Sequence, residues 1–234
     1  MPALNQPEER HLGSLVDLRD AESIALLDSR HGDIGPAFVD IEPLALFDAE
    51  WDDLRLDADM LGDSLRFEVA AHWESGPADP PFAGEYRVPS PMEILSQGRM
   101  PSSDMLETEF QRSFAAQLRH IDNAYESSRG FMTFLRMVPG ASPLEVWFSD
   151  LAGTGAAPYP PGYVKLDLTF TKYVETLLLT KGLHGWQYLF ADVSLTDPAL
   201  QHVTEGLRNG LNALPDIFPG LDYAPLARRL AARL

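Results

Sequence analysis

The stretch from Tyr163 to Phe190, YVKLDLTFTKYVETLLLTKGLHGWQYLF, decides how the rest of the chain is read. From Tyr163 to Leu168 large apolar residues alternate with polar ones, Val164, Leu166 and Leu168 against Lys165 and Asp167, which is the period of a strand with one buried face. Phe170, Tyr173, Val174, Leu177 and Leu178 then recur at three- and four-residue spacing, so the chain passes into a helix capped by Thr169. Gly182 supplies the stop, with Lys181 placed to meet the negative end of the helix dipole. Trp186, Tyr188, Leu189 and Phe190 are too apolar for a free loop and are expected to pack back on that helix. A sheet edge handing over to a core helix predicts an α+β fold, with a mixed or antiparallel central sheet packed against several helices and extra helices at both ends.

Composition sets the bounds. A chain of 234 residues can bury roughly 70–75% of its unfolded surface and needs no staples. It has no cysteine, which excludes disulfides and thiolate metal sites and fits a reducing compartment. The polar start MPALNQPEERHLG has no signal-like apolar run, and no stretch of about 18 apolar residues occurs, so a soluble, cytoplasmic protein is expected. The net charge of −17 is uneven: residues 1–75 hold 18 of the 35 Asp and Glu but 5 of the 18 Lys and Arg, placing −13 there and −4 on the rest. Such a face keeps a protein in solution, repels nucleic acid and anionic lipid, and steers basic proteins toward itself.

In chain order, residues 1–13, with Pro2 and Pro7, read as a frayed end, Ser14 to Leu27 as a helix with a break near Asp20, and HGDIG before Pro36 as a turn. Phe38, Val39 and Ile41 make a strand-like run, and Pro43 opens a helix toward Leu46. Ser64 to Trp73 has helical spacing through Leu65, Phe67, Val69 and Ala70; a loop follows from Gly76 to Gly84, then a short strand from Tyr86 to Val88. Ser90 to Leu95 reads as a helix with a serine cap, Pro91 in its first turn and Glu93 at the third helical position. The longest helix is expected from Ser103 to Tyr125, with Leu106, Phe110, Phe114, Leu118, Ile121 and Tyr125 in one stripe. Phe131–Val138 and Leu144–Ser149 read as a hairpin turning at Pro139-Gly140, followed by a Gly/Pro loop, Asp150 to Gly162, that carries Tyr159. Beyond Phe190 a helix starts at Thr196-Asp197-Pro198, Leu214-Pro215 interrupts it, and a last helix from about Leu221 ends in Arg228, Arg229 and Arg233, where the charges complement a helix C-terminus.

This order of parts, HWESG, a Pro/Gly loop, EYRVPSPMEIL, a hairpin and then KLDLTFTKYVETLLLTKG, resembles the SUKH superfamily. Gly76, Glu93 to Leu95 and Thr169 to Leu178 stand where that family has its glycine, its short helix and its strand-to-helix passage, and the resemblance covers about residues 60–190. It implies an acidic N-terminal extension (1–60) packed on an α+β core (61–190), with a C-terminal helical extension (191–234), all in one compact unit. It also implies a bacterial immunity protein that binds a secreted toxin.

The densest acidic patch, DAEWDDLRLDADMLGD from Asp48 to Asp63, is the expected partner-binding surface: Asp48, Glu50, Asp52, Asp53, Asp57 and Asp59 around Trp51, with Tyr159 as a second candidate. The segment lacks the glycine and terminal glutamate of an EF-hand loop. No metal, cofactor or catalytic residue is expected. His72 and Glu74, read on a helix, fall on different sides, His120 is read at a solvent edge of the long helix, and His11, His31, His184 and His202 have no partner at ligand spacing. There is no G-x-S-x-G elbow and no phosphate-binding loop. The function expected is an intracellular immunity protein, a monomer or weak dimer, that covers the active site of a cognate toxin, a basic nuclease-like domain being one such toxin, and binds neither nucleic acid nor membrane. The alternatives are a regulator or scaffold of the same fold, or an enzyme of unknown class.

Overall fold

The computed structural model describes residues 3–41, 43–99, 106–124, 126, 130–150 and 153–234. Its regular elements are α1 (Gln6–Asp20), β1 (Ile24–His31), α2 (Ala58–Asp63), β2 (Val69–Ser75), β3 (Ala83–Val88), α3 (Pro91–Ser96), α4 (Glu109–Ala116), β4 (Leu118–Asn123), β5 (Met132–Arg136), β6 (Glu145–Ser149), β7 (Tyr163–Lys165), α5 (Phe170–Thr180), α6 (Gln201–Ile217) and α7 (Ala224–Ala231). The fold is α+β, and its strands form two antiparallel sheets, β1-β2-β3 and β4-β5-β6-β7.

The decisive stretch behaves as its pattern requires. β7 is the edge strand of the second sheet, Thr169 accepts from the Lys172 amide, and α5 buries Phe170, Tyr173, Val174, Leu177 and Leu178. Trp186–Phe190 form a buried 3₁₀ turn against it, with the Tyr173 and Trp186 rings 4.9 Å apart. The helix end differs from expectation. Lys181 itself takes the left-handed conformation (φ 54°), and its ammonium turns inward to Ser14 Oγ (3.1 Å) and Asp17 (2.8 Å) on α1.

Four expectations need correction. Residues 3–13 are not frayed: Asn5 accepts from the Glu8 amide, the Glu8 carboxylate accepts from the Asn5 amide, and Pro7 sits in the first helical turn, so the proline read as disorder opens α1 instead. The helix stops at Asp20, where the break is expected, but the part beyond it is not helical, because Ile24 to His31 is drawn out as β1 along β2, from Ile24 opposite Ser75 to His31 opposite Val69. Ser64 to Trp73 is not a helix; Val69, Ala71 and Trp73 share one strand face, and Trp73 lies so close over Gly84 that a Cβ there would sit 2.4 Å from the indole. The long aromatic helix is cut in two. α4 is capped by Thr108 and ends at Ala116, after which the Gln117 carbonyl accepts from the Met137 amide and the chain joins the sheet as β4; Ser103 and Tyr125 lie outside the described residues.

Smaller differences follow the same logic. Phe38–Asp40 is a 3₁₀ turn rather than a strand, and Pro43 caps another, Leu44–Leu46. Pro215 does not interrupt α6, since it lies in the last turn, where the Phe218 amide still donates to the Leu214 carbonyl at 2.8 Å. Arg229 and Arg233 reach back to the carbonyls of Leu189 and Ala191 and tie α7 to the core.

The boundary expected at residue 60 crosses the first sheet, since β1 is hydrogen-bonded to β2. The sheets meet through side chains. A register shift after His120 turns Asp122 toward β3, where its Oδ1 accepts from the Arg87 amide at 2.9 Å; the Glu85 carboxylate accepts from the Glu126 amide at 2.6 Å.

Candidate functional site

The acidic segment is mounted on the core. Trp51 is 3% exposed and Leu54 2%, so these two side chains anchor a 3₁₀ turn (Ala49–Trp51) from which neighbouring carboxylates project. Arg119, itself buried on β4, lies 4.8 Å over the Trp51 ring and donates to the carbonyls of Ala116 and Leu118. Asp48 faces inward to Arg119 (3.4 Å) and Arg99 (2.7 Å); Arg99 holds its carboxyl below the usual carboxylate range against the opposing effect of burial. Arg99 also pairs with Glu50 at 2.9 Å.

The expected contact residues therefore divide. Glu50, Asp52 and Asp53 are exposed and lie together. Asp48 is spent on holding the turn, and Asp57 caps α2 by accepting from the Met60 amide at 2.8 Å. Trp51, expected at the centre of a contact surface, is core: the apolar spacing that docks the segment is also what withdraws the indole from solvent. Asp59 lies in α2, and its side chain is outside the described residues. Tyr159 is remote from this face in kind. It is half-buried in an aromatic cluster on the second sheet, 4.4 Å from Trp147 and 5.1 Å from Phe114, with the 42%-exposed Phe110 5.4 Å away on its rim.

Two further clefts were not visible in the sequence. One, of about 630 Å³, lies between the β2–β3 connection and α6 and gathers Glu74, Asp79, Glu205, His184 and His202 from three parts of the chain. Among the described residues no three His, Asp or Glu side chains are placed to share a metal ion. His72 and Glu74, two apart on β2, face the same side, contrary to the helical reading. His120 is half-buried on β4, with its amide donating to Gln97 Oε1 and its carbonyl accepting from Gln97 Nε2; burial lowers its pKa. The second cleft, of about 1210 Å³, runs between the β5–β6 turn, β7, the start of α5 and α7. No local signal marks either cleft, because each is assembled from segments tens of positions apart that meet only in the folded chain.

Among the described residues no helix is long and apolar enough to cross a membrane. Comparison with models of protein families, with curated proteins and with solved structures finds no match to this chain.

Proposed function

We propose that this chain is an intracellular binding protein of SUKH immunity type, which neutralises a toxin by covering its active site with an acidic face. The observation that carries this reading is the rigid mounting of Glu50, Asp52 and Asp53 by the buried Trp51 and Leu54. A toxin acting on nucleic acid presents a basic groove, and carboxylates fixed in advance meet it without the entropy cost of ordering a tail. The net charge of −17 adds long-range steering. In this reading the protein works in the cytoplasm as a monomer or weak dimer, with no need of a cofactor or metal.

The test is binding to the product of the adjacent gene, comparing wild type with Asp52→Lys/Asp53→Lys at low and high salt. Tight capture, weakened by about tenfold or more in the double reversal and by salt, is the expected result. Capture that ignores the reversal moves the interface elsewhere, to the Phe110–Tyr159 rim first, and absence of any capture removes the immunity reading.

A further inference from the structure

The larger cleft departs from the charge of the molecule around it. Four cations line it, Arg136, Lys165, Lys172 and Arg229, against three carboxylates, in a chain whose Lys and Arg number 18 against 35 Asp and Glu. Two of the cations share Glu145, at 3.1 Å from Arg136 and 2.6 Å from Lys165, and Lys172 pairs with Glu175. Arg229 has no carboxylate partner among the described residues. Its guanidinium rests 4.3 Å over the Phe190 ring, with one weak bond to the Leu189 carbonyl at 3.4 Å, so most of its donors remain available. The start of α5, an 11-residue helix, also faces the cleft and adds the positive end of its dipole. The half-buried Val138, Ala141 and Leu168 give it an apolar floor.

We infer that this cleft is a docking groove for an acidic peptide segment of a partner protein, carrying Asp or Glu beside large apolar side chains. The volume of about 1210 Å³ exceeds the roughly 300–1,000 Å³ typical of small-molecule pockets, so an extended segment fits it better than a metabolite. An aspartate or glutamate of the peptide pairs with Arg229, while Lys165 and Lys172 add their charge along the groove, and the neighbouring apolar residue lies on the floor. A nucleic-acid strand, charged at every nucleotide, is disfavoured more strongly than a peptide carrying one or two acids, because Asp167, Asp192 and Glu145 stand in the walls and the remainder of the surface repels a polyanion. The groove does not draw on the acidic face, so the two proposals stand or fall separately.

The experiment is fluorescence anisotropy with a labelled pool of short peptides mixing Asp and Glu with Leu and Phe, against a pool in which Lys replaces the acids, and against oligothymidylate. Wild type should bind the acidic pool in a salt-sensitive way. Lys165→Glu/Lys172→Glu, which alters two exposed side chains, should weaken that binding by about tenfold or more; because it sets like charges against Glu145 and Glu175, circular dichroism checks that the fold is kept, and Arg229→Gln, which breaks no ion pair among the described residues, should weaken binding as well with an unchanged melting temperature. No binding of the acidic pool at millimolar peptide, binding indifferent to the reversal, or tighter binding of oligothymidylate than of peptide would each overturn the proposal.

Discussion

Asp122 is buried where the two sheets meet, with the Tyr173 hydroxyl 2.5 Å from Oδ2 and the Arg87 amide donating to Oδ1. Burial, reinforced by Glu85, outweighs these donors and pushes its carboxyl up to about 7. The native state therefore takes up a proton more readily than the unfolded chain, whose aspartates titrate near pH 3.9. The stability from this group is fully present below about pH 4 and is lost as pH rises through about 7, by roughly 4 kcal/mol at full extent. Glu8, Asp48 and Glu145 have lowered values and act in the opposite direction, so the total curve mixes both signs. The clean quantity is the difference between wild type and Asp122→Asn. An asparagine oxygen still accepts from Arg87, and its amide can donate to Tyr173, which also lies 2.8 Å from Thr133 Oγ1. Urea unfolding at about pH 4 and pH 8 should show the variant gaining several kcal/mol relative to wild type across that range; parallel curves would mean that Asp122 is ionised throughout. Gly84 makes a sharper steric point at the same scale. A Cβ would stand 2.4 Å from the Trp73 ring, whose Nε1 is fixed on the Lys181 carbonyl at 2.7 Å, so Gly84→Ala should cost about 3 kcal/mol or more in the same assay.

At the scale of elements, the entry to α1 combines a cap with a long-range tie. Glu8 bonds the Asn5 amide, the Arg66 amide at 3.1 Å and the Arg66 guanidinium at 2.6 Å, so one side chain closes a helix and holds the chain before β2. Asn5→Ala should cost about 1 kcal/mol, as lost caps do. Glu8→Ala should cost more, because it leaves two backbone donors and a guanidinium without their acceptor; equal losses would reduce Glu8 to its capping role. The same residues show where the sequence could be read and where it could not. Asn5 and Glu8 carry a capping box in plain view, but Pro2 and Pro7 among polar residues carry the pattern of a frayed end as well. The strand and helix from Tyr163 to Thr180 were legible because alternation, cap and stripe agree locally. The β5–β6 hairpin was legible from its turn. β4 was not, because Phe114, Leu118 and Ile121 keep helical spacing straight across the break at Gln117, and what breaks the helix is a bond to Met137, twenty residues away. Of the acidic site, its charge was legible. The inward turn of Trp51 was not, since it depends on Arg119 from a strand the sequence hid.

Across the whole molecule, the two ends are fitted into the middle rather than laid upon it. Gly210 of α6 brings its backbone so close to Leu183 that a Cβ would lie 2.4 Å from that side chain, and Gly185 admits Val203 just as closely. Leu207, Leu211, Leu214, Leu226 and Leu230 are buried with Leu183, Trp186 and Leu189 in one continuous core, and Leu15 and Leu18 of α1 belong to the same cluster. At the other end β1 supplies one of the three strands of the first sheet. Removing residues 191–234 would uncover the fully buried Trp186, Tyr188 and Leu189, and removing the first 31 would leave β2 with a bare edge. A segment running from residue 61 to 190 therefore lacks the surfaces that close its core. Expressed alone, it should bind a hydrophobic dye and show no cooperative melt, whereas the full chain should lose near-ultraviolet circular dichroism and tryptophan fluorescence at one common midpoint. Two separate transitions in the full chain would show that the ends are attached modules, and would restore the division at residues 60 and 190 that the resemblance implies.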